Sequence, residues 1–299
     1  MPDFDISITI CSWNTRPDLE VCLGSLEQVR GEANFEVVVV ENASEDGSRE
    51  MVESLFPWVR LLLPGENLGF GRGHNLAFKE SKGEFLMALN SDTIVHRGAI
   101  ARVVDYMRKN PDAGIVGAKL LNPDGSLQMS CRRFPTPAAA IFRNTPLGRL
   151  FPKNRFTRDY LMTNWEHNAV REVDWVSGAS LTISRELYEK IGGFDEQFFM
   201  YLEDVDLCYR AHEAGYRVVY IPDAVITHAI GRSTDRVANI MIRQFHKSMM
   251  LFYKKHYLQK TQMLLRPFAV FAAYTMLFVR QSIFIVKNKI DEFNRGRMS

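Results

Sequence analysis

The sequence predicts an α/β fold: a mostly parallel central sheet flanked by helices, followed by a helical C-terminal extension. Three observations lead there. The first ninety residues alternate strand-like and helix-like segments, the pattern of a parallel sheet with crossover helices. Phe35 to Val40 is a continuous apolar run, which suits a strand buried on both faces. Polar clusters fall where strands should end, at Ser12-Trp13-Asn14, Glu41-Asn42-Ala43-Ser44 and Asn90-Ser91-Asp92.

In chain order, Ser7 to Ser12 is a β-rich run, and Pro17 to Val29 carries Leu19, Leu23 and Leu26 at helical spacing. Val59 to Leu63 reads as a third strand, Gly73 to Ser81 as a helix, and Phe85 to Leu89 as a fourth strand. From Asn122 to Glu172, Pro, Arg and Asn are frequent and periodicity is weak, so this stretch reads as loops over the site. Regular structure returns at Val173 to Ser184, with a helix from Glu203 to Ala214 closed by Gly215 and a strand at Arg217 to Ile221. Beyond Asp235 the pattern turns helical and increasingly apolar.

The 299 residues, 46% apolar and 24% charged, exclude disordered, collagen-like and low-complexity folds. Cys11, Cys22, Cys131 and Cys208 form neither a CxxC pair nor a metal cluster, which suits a reducing compartment. Met1 to Asp5 carries two acids and no basic residue, unlike a signal peptide, so a cytoplasmic start is expected. The net charge of +2 hides an asymmetry: residues 1–238 hold 26 Lys+Arg against 33 Asp+Glu, and residues 239–299 hold 11 against 2. The tail is basic and the body acidic. No nucleic-acid partner is expected.

In open α/β sheets ligands bind outside the carboxyl ends of strands, so three converging clusters predict one site. Asp92 offers a carboxylate where a divalent cation on a diphosphate could rest, and one or two protein carboxylates suffice for such a cation. Taken alone, an Asp after a strand is most often a cap or turn residue. Glu203, Asp204 and Asp206 bunch on the first turn of a helix, whose dipole favours ionised carboxylates. The preceding Phe198, Phe199, Tyr201 and Leu202 should desolvate Asp204 and raise its pKa, as a base for an acceptor hydroxyl requires. His228, beyond the strand and turn of Val218 to Ala224, needs a partner at the same edge to ligate a metal, and Asp92 is the candidate. Asn67 to Asn75 reads as a loop with glycines at 69, 71 and 73, spaced unlike the dinucleotide fingerprint but suited to close approach of backbone and ligand.

Together these motifs resemble family 2 glycosyltransferases of the GT-A fold, a Rossmann-like architecture, and particularly bacterial rhamnosyltransferase-like enzymes. The likeness runs from residue 5 to about 234 and is carried by Ile10 to Asn14, Glu41 to Ser48, Asn67 to Asn75, Asn90 to Thr93, Ser177-Gly178-Ala179, Gly192 to Glu196, Glu203-Asp204 and His228. It implies that Ser12, Trp13, Asn14, Glu41, Asn42, Asn67, Gly69, Phe70, Gly73, Asn75, Asn90 and Ser91 hold the nucleotide. It further implies that Asp92 and His228 hold Mg2+ or Mn2+ on the diphosphate. Trp175, Ser177 and Gly178 would meet the acceptor, and Asp204, beside Glu203, would be the catalytic base. Two positions depart from the family: Glu41 stands where Asp is common, and Asn90 replaces the first acid of the DxD triplet. The QxxRW motif of processive relatives is missing from the sequence, so one sugar per encounter is expected.

The resemblance thus implies an inverting single displacement from a dTDP- or UDP-linked sugar, with rhamnose a candidate, to a lipid-linked or polysaccharide acceptor in cell-surface glycan assembly. The rival is a catalytically silent nucleotide-sugar-binding scaffold of a membrane assembly complex, which would lose the base; Glu203, Asp204 and His228 argue against it. A nicotinamide-dependent oxidoreductase fails on the glycine spacing. The expected division is a catalytic unit at 1–235, its nucleotide-binding half about 1–95 and its acceptor-binding half about 96–235, then an extension at 236–299.

Within the extension, Pro267 to Val279 gives 13 uncharged residues, fewer than the roughly 20 a spanning helix needs. Gln262, Arg266, Arg280 and Lys287 would share one helical stripe, which suits a helix lying in a membrane surface. Lys247, Lys254, Lys255 and Lys260 would add attraction to anionic lipid. The alternative is a helix packed on the catalytic unit or in a homodimer. The expected location is cytoplasmic, peripheral on the inner face of the plasma membrane.

Overall fold

A computed structural model describes residues 2–143, 146–229 and 238–296. The first half holds β1 (Phe4–Ser12), α1 (Arg16–Gln28), β2 (Phe35–Glu41), α2 (Ser48–Leu55), β3 (Arg60–Leu62), α3 (Gly69–Glu80), β4 (Gly83–Asn90), β5 (Thr93–Val95) and α4 (Ala99–Lys109). The middle holds β6 (Ile115–Leu121), β7 (Leu127–Gln128), β8 (Cys131–Arg132), α5 (Pro137–Phe142), α6 (Pro146–Leu150) and α7 (Arg155–Leu161). Then come β9 (Arg171–Glu172), β10 (Trp175–Val176), β11 (Ser180–Ser184), α8 (Arg185–Ile191), α9 (Glu203–Glu213), β12 (Val218–His228), α10 (Ala238–Phe252) and α11 (Arg266–Gly296).

The main sheet runs β3-β2-β1-β4-β11-β6-β12-β5, with β7 on β6 and β9 on β12. β1 to β4 are mutually parallel where they pair, and so are β6 and β12; β11 lies antiparallel between the two blocks. Two reversals cancel, so β4 and β12 point the same way and their carboxyl ends share one edge. Val37 to Val40 are at most 1% exposed, as a strand covered on both faces requires. One core joins Ile6, Ile8 and Ile10 to α1, α2 and α4; a second, on the other face, joins Leu181 and Ile183 to α8, α9 and Phe252 of α10. The extension therefore contributes Phe252, at the end of α10, to the core.

Four sequence expectations are corrected. The Asn67 to Asn75 stretch is a loop only to Leu68, because α3 starts at Gly69, and α2 is a helix the sequence reading left out. The glycines are tight against protein: a Cβ at Gly69 would meet the Phe199 carbonyl at 2.3 Å, and one at Gly73 would meet Cys11 Sγ at 2.6 Å. The 122–172 stretch holds α5, α6 and α7 rather than loops alone, started by side-chain caps at Thr136 for α5 and Asn154 for α7. β12 continues to His228 through a register shift between Ile221 and Val225, so His228 ends a strand instead of following a turn.

The fourth concerns the tail. Met263–Val286 spans 24 residues and is long and apolar enough to cross a membrane by length and composition, with 11% of its most apolar window buried. The uncharged run ends at Arg280, whose side chain turns inward and is 6% exposed. Lys255 pairs with Asp195 at 2.5 Å and Asp206 at 2.8 Å, Lys254 donates to the Tyr274 hydroxyl at 2.9 Å, and Lys260 donates to the Tyr209 hydroxyl. Of the four lysines, Lys247 alone shows no such contact among the described residues. The boundary at 235/236 and the side chain of Lys287 lie outside the described residues.

Candidate active site

A cleft of about 700 Å³ opens at the shared carboxyl edge. Its lining includes Trp13, Asn42, Asn67, Gly69, Phe70, Asn90, Ser91 and Asp92 from the first half of the chain. Trp175, Ser177, Gly178, Glu203, Asp204 and His228 face the same space. Ser12, Asn14, Glu41, Gly73 and Asn75 are not among its lining residues. Ser12 and Ser91 each lie 3.0 Å from the Thr15 hydroxyl. Asn14 adopts φ 52°, where its amide oxygen accepts from Glu45 N at 2.9 Å, and Glu41 Oε1 accepts from Ser44 N at 2.7 Å. Asn75 ties α3 to the 192–196 turn through Tyr188 and Phe194.

Register alone delivers the metal candidates. β5 pairs antiparallel with β12, His228 opposite Thr93, and Ala229 N donates to the Asp92 carbonyl at 2.9 Å. Asp92 Oδ1 comes to lie 3.3 Å from His228 Nε2. The histidine's tautomer follows from Gln128, a residue the sequence reading missed. Its Nε2 donates to Asn122 Oδ1 at 2.9 Å and to the His228 carbonyl at 3.0 Å, so its Oε1 accepts from His228 Nδ1 at 2.7 Å. That leaves Nε2 as an acceptor: the Asn90 Nδ2–H donates to it at 3.1 Å, and the Asp92 carboxylate lies 3.3 Å away. An imidazole whose outer nitrogen donates to a fixed acceptor and whose inner nitrogen stands beside a carboxylate has the donor set of a cation site. No third His, Cys, Asp or Glu joins them among the described residues, which fits a cation that completes its shell with phosphate and water.

The acid pair is delivered by strain. Tyr201 and Leu202 adopt φ 69° and 67°, unusual for side chains of their size, and this turn starts α9 at Glu203. Asp204 is half-buried; its Oδ2 accepts from Gly178 N at 2.9 Å and its Oδ1 from Val205 N at 2.8 Å. A Cβ at 178 would meet Phe70 Cζ at 2.8 Å, so glycine lets that strand-end backbone approach Asp204. Burial raises the Asp204 pKa, while the two backbone donors pull against it. Glu203 is 5% exposed, one of its oxygens has no partner, and burial followed by the Asp204 charge pushes its pKa up to about 8. Asp206 differs: although burial opposes it, His256, Arg210 and Lys255 hold its pKa below the ordinary value.

The cleft thus brings the Asp92 and His228 pair and the Glu203 and Asp204 pair into one lining. The model of glycosyltransferase-like family 2 matches residues 2–247. The chain belongs to this family. The glycosyltransferase is 32% identical over 258 residues to the N-acetylglucosaminyl-diphospho-decaprenol L-rhamnosyltransferase of Mycobacterium tuberculosis, with 83% of each chain covered. It is 26% identical over 168 residues to the rhamnosyltransferase WbbL of Escherichia coli, covering 54% of this chain and 60% of that one. The solved mannosyltransferase PcManGT from Pyrobaculum calidifontis, in complex with GDP-Man and Mn2+, superposes with a TM-score of 0.57 at 19% identity, covering 97% of this chain and 75% of that one. That likeness supports the GT-A-like fold. The glycosyltransferase is a nucleotide-sugar-dependent, rhamnosyltransferase-like enzyme.

Proposed function

We propose that the enzyme transfers one sugar, rhamnose first among the candidates, from a dTDP- or UDP-linked donor to a lipid-linked glycan acceptor, with inversion at the anomeric carbon. The observation that carries this reading is the placement of Asp204 in the same cleft as Asp92 and His228. Asp92 and His228 would hold Mg2+ or Mn2+, which supplies charge neutralisation for a departing nucleoside diphosphate. Gln128 keeps the imidazole lone pair turned to that side. Asp204, fixed by Gly178 N and Val205 N, takes the proton of the acceptor hydroxyl as its oxygen attacks. Glu203, with its raised pKa, stays largely protonated near neutrality and so adds little negative charge beside the base. Phe199, Tyr201 and Leu202 give the cleft an apolar lining on the approach to the base.

Membrane association through α11 belongs to the same reading. Phe268, Phe271 and Phe278 are each at least 68% exposed, while the opposite side of the helix docks on α10. Contacts run from Lys254–Tyr274 through His246–Arg280 to Asn239–Asn288. A spanning α11 would drag α10, with its exposed Arg243 and Lys247, into the bilayer, so a helix lying on the surface fits better.

The test is a panel of dTDP- and UDP-sugars with the purified chain, a synthetic polyprenyl-diphosphate-linked sugar acceptor, and Mg2+, Mn2+ or chelator. Transfer with one donor class, loss with chelator and the opposite anomeric configuration by NMR are expected. Retention of configuration, or full rate in chelator, would overturn the mechanism.

A further inference from the structure

Three arginines, Arg132, Arg143 and Arg280, line the cleft, and their hydrogen bonds go to neutral groups. Arg132 Nη2 donates to the Met129 carbonyl at 3.1 Å and Arg143 Nη1 to the Tyr160 hydroxyl at 3.4 Å. Arg280 Nη1 lies 3.2 Å from Met249 Sδ and 3.4 Å from His246 Nε2. Among the described residues no carboxylate comes within ion-pair distance of any of the three. Arg280 is 6% exposed, and its Nε, like that of Arg132, is buried without a partner.

Such an arrangement is costly. A buried guanidinium ordinarily finds a counter-charge, and a buried donor an acceptor. Here the charges also repel, since burial and then the Arg132 charge pull the Arg143 pKa below its usual value. Aromatic rings hold the guanidinium groups in place: Arg132 and Arg143 sit 5.9 and 5.2 Å from the Tyr160 centroid, and Arg280 sits 5.0 Å from that of Phe284. Guanidinium forks match phosphate oxygens bidentately, so an anion rich in such oxygens would satisfy all three at once.

Position says which anion. The arginines come from β8, the end of α5 and α11, none of which carries Asp92 or His228. Arg132 lies opposite Trp175 in the β8–β10 pair, and the chain after β10 reaches Gly178, whose N–H donates to Asp204, so the cluster neighbours the base and hence the acceptor side of the cleft; the Arg132 charge opposes the rise in the Asp204 pKa that burial causes. Around it the lining turns apolar, with Ile240, Met241 and Phe245 of α10, and reaches the surface at Ile240, which is 61% exposed. An anion beside the base and an apolar exit describe one amphiphile. We propose that Arg132, Arg143 and Arg280 bind the diphosphate of a polyprenyl-diphosphate-linked acceptor, whose lipid chain leaves over the apolar residues of α10. This assignment rests on the transferase reading above.

The test uses calorimetric titration of the full chain with farnesyl diphosphate, farnesol and inorganic pyrophosphate. Farnesyl diphosphate should bind, with the other two at least about tenfold weaker, the order of one charge-assisted contact. Arg143→Gln, at a half-buried position, and Arg280→Gln should each weaken it about tenfold or more, and Arg143→Lys less, because a point charge lacks the fork. Binding of Mn2+ with the nucleoside diphosphate should stay unchanged in Arg143→Gln. Equal binding of farnesol, equal binding of pyrophosphate, unchanged farnesyl diphosphate binding in the variants, or a parallel loss of nucleotide binding would each overturn the assignment. Because no sugar moves in this measurement, farnesyl diphosphate bound through the arginines by a chain inactive in the donor panel would sustain the assignment and reject the transfer reading.

Discussion

Asp204 receives two backbone N–H donors and still faces the cleft, so exchanging its carboxylate for an amide keeps size while removing the proton acceptor. Asp204→Asn should lower kcat by about 10² to 10⁴, the usual weight of a general base, with nucleotide affinity intact. Steady-state nucleotide release and a titration with donor diphosphate check both halves; unchanged turnover would remove Asp204 from the reaction. Glu203 makes a second prediction, on stability. Its carboxyl has an ordinary value of 4.5 and is pushed up to about 8 in the fold. Between those values the folded state keeps a proton that the unfolded chain releases, so this contribution is present below 4.5 and is lost as pH rises through about 8. Thermal melts from pH 5 to 8.5 should show a decline in Tm that Glu203→Gln flattens. The places of Asp92 after a strand and Asp204 on the first turn of a helix were legible in the sequence because strand ends and helix starts are local signals. Gln128 and Arg280 were not, because their roles depend on partners 100 and 34 residues away.

Among the elements, α9 joins the site to the extension. Its first turn turns Asp204 to the cleft and buries Asp206, which is 0% exposed, against Arg210, Lys255 and His256. Removing one member of a buried ionic cluster costs about 3 to 5 kcal/mol. Asp206→Ala belongs near the lower end, since Arg210 and Lys255 keep some access to water. Chemical denaturation should show that loss, and limited proteolysis should cut first around Tyr253 to Lys260; a wild-type digestion pattern would show that the cluster does not clamp the extension. The sequence placed α9 well, because its acidic start and Gly215 are strong punctuation. It delayed α3, because glycine is a poor helix former and only distant neighbours, Phe199 and Cys11, explain why glycines begin that helix. It cut β12 short for a similar reason, the register shift after Ile221 breaking the period that reveals a strand.

Taken whole, the molecule binds charge inward and shows apolar surface outward along its tail, the reverse of what composition suggests. The basic tail pointed to lysines reaching for anionic lipid, but Lys254, Lys255 and Lys260 are engaged within the chain. One exposed lysine adds on the order of 1 kcal/mol near an anionic surface, whereas burying a phenylalanine contributes about 1.5 to 3 kcal/mol. Phe268 and Phe271, each 74% exposed, should therefore outweigh Lys247 in holding the enzyme on a bilayer. Truncation near Asp235 would test this poorly, because Phe252 and His256 would leave the core with the tail. The full chain with Phe268→Glu and Phe271→Glu changes the exposed face alone. In flotation with vesicles containing anionic lipid, the wild type should float and the double variant should stay at the bottom, with unchanged melting. Raising salt should reduce wild-type flotation only slightly, as an apolar attachment predicts. Flotation of the double variant equal to wild type would assign membrane binding elsewhere, and a concentration-dependent loss of dimer in that variant would give the phenylalanines to a second copy of the chain.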